Sequence, residues 1–346
     1  MKLIAVLLAI ALTAGGWLVR PRGLDLDAAR TGDDKLQAFI DQNYEGPGHR
    51  LAVAVIGDNS MVFAGRGANE HGRFEVGSIS KAMTGLLLAD SVRRGEVRLD
   101  QQVGSLLPLD GTDVANATLE ELATHSSGLP NTSHKPLVVA RSFLASWSAS
   151  NPYPYDVNQL LGQARAAGTG GRGKPAYSNL GGALLGQALA SKAGKSYPDL
   201  LTERVLTPLQ MNETRVAVDQ ADAAPDGYSS GGRKEAPWVQ DGYGPAGGVV
   251  STSGDMALML QSLLRGTGVE ALAARRGFED GDRIGLFWIT SPLPGTDHSM
   301  VWHDGGTGGY RAFVGVDLER KRAVVVLSDV AASVNDFGAK LLAAQS

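Results

Sequence analysis

Runs of strand-forming residues lie near both ends of this 346-residue chain, and apolar residues at helical spacing fill much of the stretch between them. Leu51-Ala52-Val53-Ala54-Val55-Ile56 and Met61-Val62-Phe63-Ala64-Gly65 flank Gly57-Asp58-Asn59-Ser60, which reads as a β-hairpin. Strand signals return at 283–290, 300–302 and 312–316, and Ala323-Val324-Val325-Val326-Leu327 follows the polar turn Glu319-Arg320-Lys321-Arg322. This order suits an antiparallel sheet completed by both ends of the chain with helices flanking it, a mixed α/β (α+β) fold. We therefore expect one catalytic unit over 33–346, with a sheet lobe from about 33–76 and 283–346 and a helical lobe over about 77–282.

The helical signals are local. Asp33-Asp34-Lys35-Leu36-Gln37-Ala38-Phe39-Ile40 spaces apolar residues at helical intervals, with acids at its start that suit the helix dipole. From Ala82 to Val92 the residues are apolar almost all round, which predicts a buried helix closed by Gly95. Thr118-Leu119-Glu120-Glu121 is a capping box for a short helix that breaks at His125-Ser126-Ser127-Gly128-Leu129-Pro130. Further helices are expected over 180–193, 197–206, 256–264 and 336–344, whereas 131–175, with its prolines and glycines, reads as a long loop.

Composition narrows the function classes. The chain has no cysteine, which excludes thiol catalysis, zinc-thiolate sites, disulfides and lipid attached to cysteine. A formal charge of −4 without a long basic run leaves no footprint for a nucleic-acid partner. His49, His71, His125, His134 and His298 lie in separate loops without metal-ligand spacing, so neither a metal nor another cofactor is expected. Residues 1–22 carry Lys2, the apolar run Leu3 to Ala14 and then Gly15-Gly16-Trp17-Leu18-Val19-Arg20, which reads as an export signal for a periplasmic or secreted protein. An uncleaved membrane anchor over 3–19 is the competing reading. The oligomeric state has no sequence signal.

The chemistry-bearing stretch is Phe74-Glu75-Val76-Gly77-Ser78-Ile79-Ser80-Lys81, the only S-x-x-K in the chain. If a helix begins near Gly77, Ser78 and Lys81 share one face of its first turn, and the Ser78 N–H is an unpaired donor at a helix start. The bland alternative makes Ser78 a helix cap and Lys81 a solvated residue. The apolar helix that follows argues against it, because desolvation lowers a lysine pKa and makes the amine a usable base. Two further elements are unique in the chain: Tyr177-Ser178-Asn179 and His303-Asp304-Gly305.

Together, in this order, these three elements resemble the serine β-lactamase-related family of class C β-lactamases, penicillin-binding D,D-peptidases and esterases. The stretches 118–130, 177–214, 244–260 and 303–315 extend the resemblance over about 36–344. It implies a β-lactamase/transpeptidase-like fold. Ser78 would form the acyl-enzyme, Lys81 would take or share its proton, and Tyr177 would be the second acid/base. Asn179 would donate its amide to the substrate or to Lys81, and His303 would supply a polar or cationic group under Tyr177. The oxyanion N–H groups would come from Ser78 and Gly306, and Asp304 and Gly305 would border the substrate. Class C enzymes carry lysine, threonine and glycine at the third motif. Asp304 instead puts a negative charge near where β-lactams and D-alanyl peptides place a carboxylate, provided its side chain faces the substrate.

Other patterns carry less. Gly227-Tyr228-Ser229-Ser230-Gly231 fits a nucleophile elbow but has no strand before it and no helix after it, so Ser229 reads as a loop residue. Gly242-Tyr243-Gly244-Pro245-Ala246-Gly247 fits a dinucleotide fingerprint, yet follows no strand. Lys192-Ala193-Gly194 reads as a helix end. Trp147, Tyr153, Tyr155 and Trp238 are loop anchors or pocket walls, and the sequence favours neither. The resulting expectation is a serine hydrolase for a small ester or amide, with β-lactam hydrolysis as a slow side activity. A D,D-carboxypeptidase or D-amino-acid amidase is the nearest rival, and a non-turnover penicillin-binding sensor or scaffold is the reading of another class.

Overall fold

The computed structural model describes residues 24–133 and 136–344. The leader over 1–22 and His134 lie outside the described residues. Among those described, no helix is long and apolar enough to cross a membrane.

A nine-stranded antiparallel sheet forms the scaffold, in the order Arg30–Gly32, Met61–Arg66, Leu51–Gly57, Arg322–Ser328, Arg311–Asp317, Ser299–Gly306, Ile289–Pro292, Arg283–Ile284 and Arg276–Gly277. The two chain ends meet where Leu51–Gly57 pairs with Arg322–Ser328, in a register running from Leu51 opposite Ser328 to Gly57 opposite Arg322. These central strands read as unbroken apolar runs because both their faces are covered. Ala52, Ala54, Val325 and Leu327 pack toward the helical lobe. Leu51, Val53, Val324 and Val326 pack instead with Leu36 and Ile40 of the Asp34–Asn43 helix and with Phe337 and Leu341 of the Asn335–Ala343 helix. Each fully buried Val or Leu of this kind contributes about 1.5–3 kcal/mol.

The Ile79–Arg93 helix runs through the core, buried on every side from Ile79 to Ala89. The Asn179–Ala193 helix lies beside it and is equally enclosed, ending at Gly194. Asp33 caps the first helix by accepting from the Lys35 and Leu36 amides, and the capping box of Thr118 with Glu121 is formed.

Several local expectations need correction. Residues 131–175 are not one loop: they hold helices Pro136–Ser148 and Val157–Arg165. Pro152 and Pro154 lie between these two helices, whereas Pro136 opens the first at a position where its missing N–H costs nothing, and Asp156 and Gln159 form a capping box at the start of the second. The 283–290 strand is split into Arg283–Ile284 and Ile289–Pro292, with Phe287 at φ +65 between them. The sheet reaches past its expected bounds through Arg30–Gly32 and Arg276–Gly277. Ser229 ends a short strand, Gly227–Ser229, that turns back as Lys234–Glu235. With a hairpin where an elbow needs a helix, it remains unfit as a nucleophile.

Candidate active site

Ser78 sits where three pieces of chain are pressed together. The Phe74–Glu75 strand is held by Val249–Ser251, and the chain then turns through Gly77 at φ +50 into the Ile79–Arg93 helix. A side chain at Gly77 would meet the Gly306 amide nitrogen at 2.5 Å, and a methyl at Gly305 would lie 1.9 Å from the Val76 carbonyl oxygen and 2.9 Å from the Ser78 nitrogen. The strand carrying Gly305 and Gly306 therefore lies in backbone contact with the serine turn. The helix starts at Ile79, so Ser78 occupies the cap position, but its side chain makes no capping bond. Its hydroxyl is engaged elsewhere: Tyr177 donates to Ser78 Oγ at 2.6 Å, and Lys81 Nζ lies 2.9 Å from it.

Lys81 is fully buried and has two more partners, Asn179 Oδ1 at 2.6 Å and the Ala246 carbonyl at 2.7 Å. Burial disfavours its charged form and lowers its pKa to about 7, against the opposing pull of the Asp304 carboxylate. Both carbonyl oxygens can only accept. A neutral Lys81 amine therefore spends its two hydrogens on them, and its lone pair faces the Ser78 hydroxyl. Asn179 faces Lys81 with its oxygen rather than donating to it, and its Nδ2 donates to the Tyr153 hydroxyl at 3.3 Å. Burial pushes the Tyr177 phenol well above its ordinary range, with the Asp304 charge adding to the effect, so it is a proton-bearing group at neutral pH.

The third motif divides by strand alternation. His303 and Gly305 face the core, whereas Asp304 lies on the opposite face with Trp302 and Phe313, and its Oδ2 accepts from Asn335 at 3.0 Å. The Asp304 carboxylate thus does not border the cavity at Ser78, and its charge acts through the strand. Gly305 is a packing glycine under the serine turn and not a substrate contact. Gly305→Ala is expected to lower turnover of a chromogenic ester about 100-fold through displacement of Ser78, and full activity in that variant would refute this close-approach role. His303 is buried and donates from Nδ1 to the Asp304 carbonyl at 2.6 Å. Burial and the nearby Lys81 hold its pKa below the ordinary value, so of the two expected forms, polar or cationic, it is the neutral polar ring. The ring lying against Tyr177 belongs to His125, at 4.5 Å between centroids.

Thr307 N–H donates to the Tyr310 carbonyl across the hairpin. Successive strand amides point to opposite edges, so the Gly306 N–H is directed to the edge where Gly77 and Ser78 lie. The Ser78 N–H, at the helix start, has no intrahelical acceptor. Both residues border a cavity of about 80 Å³ whose aromatic wall is Tyr153, Trp238 and Tyr243. A larger cavity of about 360 Å³ is lined by Asp90 and Arg94, at the far end of the Ile79–Arg93 helix, about 18 Å away at 1.5 Å per residue.

The structure joins Ser78, Lys81, Tyr177 and Asn179 in one hydrogen-bonded cluster and brings Gly306 to its edge. Trp147 is instead exposed, on the Pro136–Ser148 helix. Sequence reasoning missed Ala246, which acts through a backbone carbonyl and has no sequence signature. It also passed over Glu75, a buried acid whose pKa burial raises to about 7 and which accepts from the Trp238 amide at 2.5 Å, fixing the cavity wall.

Comparison with known proteins gives a consistent result. The Beta-lactamase family model matches residues 36–345. A beta-lactamase of Escherichia coli (strain K12) is 28% identical over 298 residues, covering 74% of this chain and 75% of its own. The D-alanyl-D-alanine-carboxypeptidase/endopeptidase AmpH of the same organism is 26% identical over 323 residues, covering 81% and 80%. A solved class C beta-lactamase superposes with a TM-score of 0.74 at 20% identity over 91% of this chain and 95% of that one, which speaks to the fold.

Proposed function

The chain belongs to the beta-lactamase family, and from that premise we propose that it is a serine hydrolase that cleaves a small ester or amide through a Ser78 acyl-enzyme. The observation that carries the reading is the Lys81 amine, held by two carbonyl acceptors with its third direction on Ser78 Oγ. As Ser78 Oγ bonds to the substrate carbonyl carbon, its proton passes to neutral Lys81, and the developing oxyanion is met by the Ser78 and Gly306 N–H groups. Tyr177, protonated and 2.6 Å from the same oxygen, gives a proton to the departing alcohol or amine and recovers one through Lys81. Water then attacks the acyl carbon, loses its proton to the same pair, and releases the acid with the Ser78 hydroxyl restored.

The substrate class follows from the walls. Among the described residues that line the cavity none carries an ammonium or guanidinium, so a substrate carboxylate has no counter-ion in its wall, and Asp304, on the far face of the strand, has the Arg311 guanidinium nearby. A cavity of about 80 Å³ admits a small acyl group. β-Lactams are then slow substrates. The coverage of the carboxypeptidase AmpH supports D,D-peptidase action as the second reading. The apolar run over 3–19 supports a location outside the cytoplasm.

Intact-mass analysis of the protein and of its Ser78→Ala variant, after exposure to a fluorophosphonate, a penicillin, a chromogenic ester and a D-alanyl peptide, tests this. A Ser78-dependent adduct that clears with the ester is expected. An adduct that persists with every substrate marks a sensor, and better turnover of a carboxylate-bearing substrate than of its methyl ester overturns the substrate class.

A further inference from the structure

We infer that His125 is a positioning residue for Tyr177, clamping the chain on both sides of it and backing its ring so that the phenol stays aimed at Ser78. The inference rests on the acyl-enzyme reading above and goes beyond it, since His125 touches neither Ser78 nor the space where substrate sits.

His125 follows the Leu119–Ala123 helix and adopts φ +51, a conformation that non-glycine residues take up only when their surroundings hold them there. Its surroundings are the two neighbours of Tyr177. The Ala176 N–H donates to the His125 carbonyl at 2.7 Å, and the Ser178 N–H donates to His125 Nδ1 at 3.1 Å. Between these two bonds the Tyr177 ring lies against the imidazole at 4.5 Å, tilted by 35°. On its other contacts the imidazole meets Phe287 at 5.1 Å and Phe278 at 6.0 Å, and it is almost wholly buried. The phenol therefore has a backing that is itself wedged.

The protonation state is determined by the partners. A backbone amide only donates, so Nδ1 bears a lone pair and the ring proton is on Nε2. Burial, with Lys81 and His303 nearby, holds the His125 pKa well below its ordinary value, so the ring adds no second cation beside Lys81. Serine-to-tyrosine distance is the quantity at stake. A shift of about 1 Å in a reacting group costs about 100-fold in rate, and the 2.6 Å bond from Tyr177 to Ser78 Oγ would be lost by such a shift.

A role confined to holding the turn predicts a different result in a double-mutant cycle. His125→Asn keeps an acceptor for the Ser178 amide and tolerates the positive φ, but removes the ring. Four proteins are compared: wild type, His125→Asn, Tyr177→Phe and the double variant. The readouts are the rate of Ser78 labelling by a fluorophosphonate, followed by intact mass, and kcat and KM on 4-nitrophenyl acetate. Labelling forms the Ser78 Oγ–phosphorus bond, expels fluoride and sends the hydroxyl proton to Lys81. We expect His125→Asn to slow labelling and kcat by about 10- to 100-fold in the wild-type background, with KM within about 2-fold, and by less than about 2-fold when Tyr177 is already Phe. Equal factors in both backgrounds, or no loss in the wild type, overturn the positioning role. If His125→Asn does not fold, His125→Gln, which likewise removes the ring and retains an amide oxygen as acceptor, carries the same cycle with the same expected factors. Absence of any adduct in the wild type would instead sink the acyl-enzyme reading itself.

Discussion

Ser78→Ala is expected to lower kcat on a small chromogenic ester by a factor on the order of 10,000 to 1,000,000, because among the described residues Ser78 Oγ is the one hydroxyl hydrogen-bonded to the Lys81 amine. The loss should be confined to chemistry. Ser78 Oγ makes no capping bond, so the helix start does not depend on it, and the variant loses only its contacts to Tyr177 and Lys81. Thermal unfolding should move by a few degrees at most, in line with about 1 kcal/mol per lost hydrogen bond. The measurement is kcat alongside intact mass after fluorophosphonate treatment. Retention of an adduct in Ser78→Ala would assign the nucleophile elsewhere, at a position located by fragmentation.

Lys81→Met is expected to lower kcat/KM about 1,000-fold and to remove the rise of the wild-type pH profile through the lysine's titration. The sign follows from burial. Only the neutral amine accepts the Ser78 proton, and its pKa is lowered to about 7, so wild-type activity climbs as pH rises through about 7 and then levels. A lysine at its ordinary pKa would place that rise several units higher, and because burial raises Glu75 to about 7 as well, the Lys81→Met variant is what separates the two groups. The same shift links to stability. Between about pH 7 and the unfolded lysine value near 10.5, the unfolded chain binds the proton and the folded one does not, so this group makes stability increase with pH across that window. Below about 7 both states are protonated and the contribution is flat. Lys81→Met should lose both dependences together. A variant that keeps the pH limb would show that another group, and not Lys81, is the base.

Much of this protein is legible in its sequence. The apolar runs at 51–56 and 323–327 were readable as strands because burial on both faces leaves no polar alternation, and the Thr118 capping box was readable because capping is a contact over three residues; the pairing of the two runs and the Asp33 cap came from the structure. The helices Pro136–Ser148 and Val157–Arg165 were hidden because Pro152, Pro154 and the glycines at 168–173 interrupt only the segments between and after them. Asp304 was placed correctly in the chain and incorrectly toward the substrate, because one residue of strand register reverses a side chain.

What the sequence by itself determined is the inventory: one serine three residues before one lysine at the head of an apolar helix, one tyrosine two residues before an asparagine, no thiol, and strands at both ends. Those are short-range patterns, and helix and strand geometry turn them directly into chemistry. Only the tertiary structure decided which partners Lys81 has, which imidazole backs Tyr177, and that Gly305 is there to let two backbones touch. The Ala246 carbonyl is 165 residues from Lys81 and His125 is 53 from Ser178. Contacts over such separations are set by how the lobes pack, and a backbone carbonyl or a buried ring has nothing in its local sequence to announce the partner it will meet.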